Sequence, residues 1–120
     1  MKTNAGQPQG QRQLRVGEQL RQALSELMAR EHFRDPDLSN TSQITVTEVR
    51  ISPDLKNATA YVMPLGGINS DVIVTALNRA ANYLRVELGR SVHLRFTPRL
   101  AFEIDNTFDQ VDRLEELLKG

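Results

Sequence analysis

SDVIVTALNRAANYLRVELGRSVHLRFTPRL, residues 70–100, carries the longest apolar helical pattern in the chain together with a line of arginines. Ile73, Ala76, Leu77, Ala80, Leu84 and Leu88 recur at the three- and four-residue steps that place side chains on one face of a helix, so that face is expected to be buried. On the other side fall Thr75, Arg79, Asn82 and Val86, flanked by Asn78 and Arg85, and no acid occurs between Asp71 and Glu87. Gly89 reads as a helix stop, and Arg90, Arg95 and Arg99 follow within a short span. A break near Asn82 would shift the phase of everything after it.

Outward from this stretch, the segment before it reads as a hairpin. Ile44 and Val46 share one parity and Val49 and Ile51 the other, so the strand over 44–51 needs a bulge near Thr47-Glu48 to keep all four on one face. Ser52-Pro53-Asp54-Leu55 is a turn, and Ala58, Ala60 and Val62 then alternate with Thr59, Tyr61 and Met63 up to Pro64. Gly66-Gly67 forms a loop without the Lys-Ser/Thr of a phosphate-binding loop, and Asn69 or Ser70 is placed to cap the long helix.

Toward the amino terminus, Leu20, Ala23, Leu24, Leu27 and Met28 form the apolar stripe of a first helix over about 13–30, which ends before Asp35-Pro36-Asp37. Residues 1–12 read as a flexible tail and 13–120 as one domain. Toward the carboxyl terminus, Leu100, Phe102 and Ile104 mark a third strand. Thr107 to Gln110 has capping-box spacing before an amphipathic helix of Phe108, Val111, Leu114, Leu117 and Leu118. The expected fold is α+β, with helices on one face of a three-stranded sheet in the order helix, strand, strand, broken helix, strand, helix.

The composition is that of a globular protein of 120 residues, with 15 Lys and Arg against 15 Asp and Glu and no cysteine. No apolar run approaches a bilayer's thickness, and the amino terminus has no secretory-signal pattern, so no membrane role and a cytoplasmic location are expected. The zero net charge conceals a dipole. Residues 1–34, 35–64, 65–100 and 101–120 have nets of +3, −2, +3 and −4, so a basic face can meet phosphates while an acidic end points elsewhere.

The order of elements and the local sequence resemble the ribosome-binding factor A family. The likeness rests on Arg15-Val16, Arg34-Asp35-Pro36, residues 45–63 (TVTEVRISPDLKNATAYVM), 76–89 (ALNRAANYLRVELG) and 94–105 (LRFTPRLAFEID). It implies a fold similar to the second type of K-homology domain, an RNA-binding module in which a Gly-x-x-Gly loop clamps the nucleic-acid backbone. The family replaces that loop by an Ala-x-Gly helix kink, matched here by Ala80, Ala81 and Asn82. Asn stands where the family has Gly. A left-handed Asn82 would split the arginines between two angled helices, and a helical Asn82 would leave one straight strip.

The role implied is a non-catalytic assembly factor, monomeric when free, that binds 16S rRNA within immature 30S subunits and touches ribosomal proteins. Arg79, Asn82, Arg85, Arg90, Arg95 and Arg99 are then the expected RNA contacts, with Arg12 and Arg15 as a second set. Tyr83 and the phenylalanines Phe96, Phe102 and Phe108 are read as core rather than base platforms. His32 and His93 are isolated, Asp109 and Asp112 of the apparent cluster with Asp105 are explained by a helix's first turn, and no catalytic residue, metal site or cofactor is expected. The competing reading is a protein-interaction module that docks a basic partner through the acidic last helix.

Overall fold

The computed structural model describes residues 9–31 and 33–106. The final helix with its capping box, Phe108, Asp109, Asp112, His32 and most of the expected tail lie outside the described residues. Helix α1 spans Gln11–Arg30, two residues ahead of the expected start, because Gln9 and Gln13 are already tied to the sheet. The Gln9 side chain donates Nε2 to Ile51 O at 2.8 Å and accepts from Ile51 N at 3.3 Å, pairing with the strand end as a neighbouring strand would.

Strands β1, Ile44–Ile51, and β2, Asn57–Pro64, form the expected antiparallel hairpin, with the register shift falling between Val46 and Glu48. Thr47 is the extra residue, and the bulge lets Val46, Val49 and Ile51 all enter the core. Strand β3, Arg99–Ile104, adds parallel to β2, giving a mixed sheet in the order β1, β2, β3. A parallel partner requires a crossover. Helices α2, Ser70–Arg79, and α3, Ala81–Ser91, supply it and pack on β3, while α1 packs on β1 and touches α3.

The core between helices and sheet holds Leu20, Leu24, Leu27, Val46, Ile51, Ala60, Leu77, Leu84, Leu88 and Phe102. Gly17 is where α1 comes closest to β1, since a Cβ there would lie inside 3.0 Å of the Val49 carbonyl oxygen. On the far face of the sheet Tyr61 is also buried, although the alternation placed it outward. Burial, together with the Glu103 carboxylate, raises its hydroxyl pKa to about 12.

The helix break falls at Ala80, not at Asn82. Ala80 has φ −88 and ψ 2, the sparsely populated bridge region, and serves as the last cap of α2 and the first of α3. Its N–H still reaches Ala76 O at 3.1 Å and its carbonyl accepts from Leu84 N at 3.0 Å. Asn82 sits in the first turn of α3, and the left-handed non-glycine residues among those described are Leu55 and Asn69. The two-helix alternative therefore holds without the left-handed residue that was to produce it. The sequence concealed this because alanine is the best helix former, and packing overrode its propensity.

Gly89 does not end the helix either, as α3 continues to Ser91. A Cβ on Gly89 would lie 3.0 Å from Thr97 Oγ1, so this glycine makes room for the returning loop. Asn69 occupies the cap position of α2 with φ 58, but its side chain makes no capping hydrogen bond, and Ser70 Oγ donates to Gly67 O at 2.9 Å. Gly66 and Gly67 take φ of 74 and 67, which explains the pair.

Candidate nucleic-acid interface

At the break, Ala80 turns the chain and leaves the first amides of α3 without a side-chain cap. Phe33, Arg34, Asp35, Arg79, Ala80 and Tyr83 line an open groove of about 570 Å³ there. Tyr83 stands edge-on to Phe33 with ring centroids 6.1 Å apart, and its hydroxyl donates to Glu31 at 2.9 Å. That bond raises the Tyr83 pKa. The ring is 47% exposed, so it is a wall of the groove and not part of the core.

The expected RNA-contacting arginines divide into three kinds. Arg79 is held by acids, with Nη2 at 2.9 Å from Asp35 and 3.1 Å from Asp37. Asp35 has its pKa lowered, first by the Asp37 backbone N–H it accepts from and then by Arg79. Arg85 faces the returning loop, its Nε donating to Thr97 O at 2.9 Å, so it positions that loop. Arg90 is largely exposed, with a loose contact to Glu87 at 3.3 Å.

Arg95, Arg99, Arg12 and Arg15 are exposed, and none meets an acid within ion-pair distance among the described residues. Arg12 and Arg95 come together across a second, smaller cleft, although they are 83 positions apart in the chain. The sequence reading missed Arg34, which lines the groove with no acid on it among the described residues, and it missed that Asn78 turns to the edge of β3. Asn78 donates Nδ2 to Phe102 O at 3.1 Å and accepts from Phe102 N at 2.9 Å, closing the open edge of β3. Phe102 is buried as expected, whereas Phe96 is 47% exposed, a correction to the core reading. Its loop is held by Arg85 and Pro98, and this leaves no core position for the ring.

No group of three or more metal-ligating side chains occurs among the described residues, and no described helix is long and apolar enough to cross a membrane. His93 is exposed at the loop start, and Asp105 accepts from Thr47 Oγ1 at 2.5 Å.

The fold and groove define a class: an α+β domain in which a broken helix joins two parallel strands and frames an open groove. The family model for ribosome-binding factor A matches residues 12–118. Ribosome-binding factor A of Phenylobacterium zucineum is 53% identical over 112 residues, covering 92% of this chain and 77% of its own. That of Bradyrhizobium diazoefficiens is 50% identical over 109 residues, covering 91% and 75%. Among solved structures, ribosome-binding factor A from Thermus thermophilus superposes with a TM-score of 0.64 at 32% identity, covering 77% of this chain and 94% of that one. A homology model of the Thermus thermophilus protein, fitted into a cryo-electron-microscopy map of its 30S complex, gives 0.57 at 30% identity, covering 74% and 90%. The chain belongs to the ribosome-binding factor A family.

Proposed function

We propose that this protein is a non-catalytic, cytoplasmic assembly factor, monomeric when free, that binds immature 30S subunits through their 16S rRNA and assists maturation of the small subunit. The observation that carries this reading is the groove at Ala80. Arg34, Phe33 and Tyr83 line it together, and Ala80, the cap residue of α3, lies in it with no side chain capping that helix. Phosphates favour helix amino termini and guanidinium groups, and unpaired bases favour aromatic edges. The family relation supports the same partner, because the Thermus thermophilus relative was fitted into a 30S complex.

Arg79 enters such an interface only when RNA phosphate replaces Asp35 and Asp37 as its partner. Arg90, Arg95, Arg99, Arg12 and Arg15 supply the wider, salt-sensitive attraction.

The test is ultraviolet crosslinking of the full chain to immature subunits, with Arg34→Glu and Arg90→Glu variants alongside. RNA crosslinks at residues 31–35 and 79–90, and affinity falling steeply with salt, are expected. Crosslinks to protein alone would favour the second reading, docking through the acidic carboxyl-terminal segment, which lies outside the described residues.

A further inference from the structure

We propose that the cleft between α1, the β1–β2 turn and the loop after α3 is a second RNA subsite that holds one unpaired nucleotide, its base stacked on Phe96 and its flanking phosphates on Arg12 and Arg95. The inference rests on the RNA-binding reading above and concerns a different surface from the groove at Ala80.

The cleft has a volume of about 200 Å³, and Val16, Leu55, Leu94, Phe96 and Pro98 give it apolar walls. That suits a single planar group and is too small for a helix of a partner protein. Its two cations belong to different elements, Arg12 to the first turn of α1 and Arg95 to the loop, and neither meets an acid within ion-pair distance among the described residues. The acid that lines the cleft, Asp54, has its Oδ1 occupied. It accepts from Ser52 Oγ at 2.6 Å and from Lys56 N at 3.0 Å, and these bonds lower its pKa.

The loop is built to hold Phe96 out of the core. Arg85 Nε fixes Thr97 O, Gly89 lets Thr97 close on α3, and Pro98 is buried, so the ring between Arg95 and Thr97 stays 47% exposed. Across the cleft Leu55 adopts φ 62, a left-handed conformation that a leucine takes only when its surroundings enforce it. Leu55 N donates to Ser52 O at 2.9 Å, which holds the turn closed. An exposed aromatic ring, apolar walls and a guanidinium group on either side form a stacking platform with a phosphate track, the chemistry by which single strands are bound with little sequence preference. A duplex keeps its bases stacked on one another and offers Phe96 nothing.

The experiment is fluorescence anisotropy of the full chain with a labelled single-stranded oligouridylate and with an RNA duplex carrying the same number of phosphates. Phe96→Ala is expected to weaken single-strand binding roughly tenfold and leave duplex binding unchanged, while Phe96→Trp retains affinity. The Arg12→Gln, Arg95→Gln double variant is expected to weaken both and reduce the salt slope by about two. An unchanged melting temperature confirms that the variants are folded. Equal single-strand affinity for wild type and Phe96→Ala overturns this subsite and leaves the RNA-binding reading intact. Failure of the wild type to bind either RNA overturns the reading itself. Preferential, Phe96-dependent binding of a labelled poly-glutamate peptide would reassign the cleft to acidic peptides.

Discussion

Replacing Gly17 by alanine gives opposite signs under two lines of reasoning. Helix propensity alone predicts a gain, because glycine inside a helix is less favourable than alanine by about 1 kcal/mol. The structure predicts a loss. A Cβ at position 17 would fall inside 3.0 Å of Val49 O, a backbone atom of β1 that no rotamer change can move. Restoring ordinary contact requires α1 to retreat by about 1 Å, and a gap of that order removes up to about half of each dispersion contact across it. Gly17 lies beside Val16 and one turn before Leu20 on the buried face of α1, so the retreat is felt along that face. Overpacking of this kind costs ~1 to 3 kcal/mol, with a rigid backbone neighbour placing it near the upper end. After the propensity gain is subtracted, a net destabilisation of about 2 kcal/mol remains. Urea unfolding should show a lower midpoint at unchanged slope, and the melting temperature should fall by roughly 8 to 10 °C. A Gly17→Ala variant as stable as wild type, or more so, would refute the close approach of α1 to β1.

Asn78→Ala removes both side-chain bonds to Phe102 and leaves the β3 edge open, so a loss of about 1 to 3 kcal/mol is expected, with faster amide exchange at Phe102 as the local readout. The Asp35 clamp on Arg79 is an acid-side contribution. Because the folded Asp35 pKa is depressed below its ordinary 3.8, the stabilisation is present above that value and is lost as pH falls through the lower one. The melting-temperature difference between wild type and Arg79→Gln should therefore narrow as pH falls below 3.8, while the larger cause of the depression, the Asp37 N–H bond, is present in both. Tyr61 acts at the other end. With its hydroxyl pKa raised from 10.0 to about 12, its contribution is complete below pH 10 and disappears as pH passes 12, and Tyr61→Phe should flatten that alkaline loss.

The hairpin was legible in the sequence to the residue, since the parity change from Val46 to Val49 has one inexpensive solution and the structure adopts it at Thr47. The stripe of α1 was legible for the same reason: period and burial coincide at Leu20, Leu24 and Leu27. The direction of β3 was not, because alternation in Leu100, Phe102 and Ile104 reads the same in parallel and antiparallel strands. The break at Ala80 came from the family resemblance, which placed a kink over Ala80, Ala81 and Asn82, and not from the residues themselves. Nothing in Arg79-Ala80-Ala81 opposes a helix, so the turn is imposed by packing α2 and α3 on the same strand. Gly89 misled for a related reason, as a glycine signals a stop by default and here marks the close approach of Thr97.

The arginines show why a candidate interface cannot be counted from sequence. Arg79 and Arg95 are both exposed arginines, yet one reaches acids 42 and 44 positions away and the other reaches none among the described residues. Arg85 spends its Nε on a loop carbonyl 12 positions on, which makes it a support for Phe96 and Arg95. Among the described residues, the expected contacts left for a polyanion are Arg95, Arg99, Arg12 and Arg15, with Arg90 loosely held by Glu87 and Arg34 added by the groove, and they do not follow the outer stripe of one helix. Arg34 lines the groove at the helix break, and Arg12 and Arg95 line the cleft at the loop. Arg79 has a separate consequence. Binding phosphate there means exchanging one set of anions for another, so its contribution to affinity is smaller than that of a free guanidinium. Arg79→Gln should therefore weaken RNA binding less than Arg34→Gln, and a larger effect at Arg79 would show that the acid clamp opens before RNA arrives.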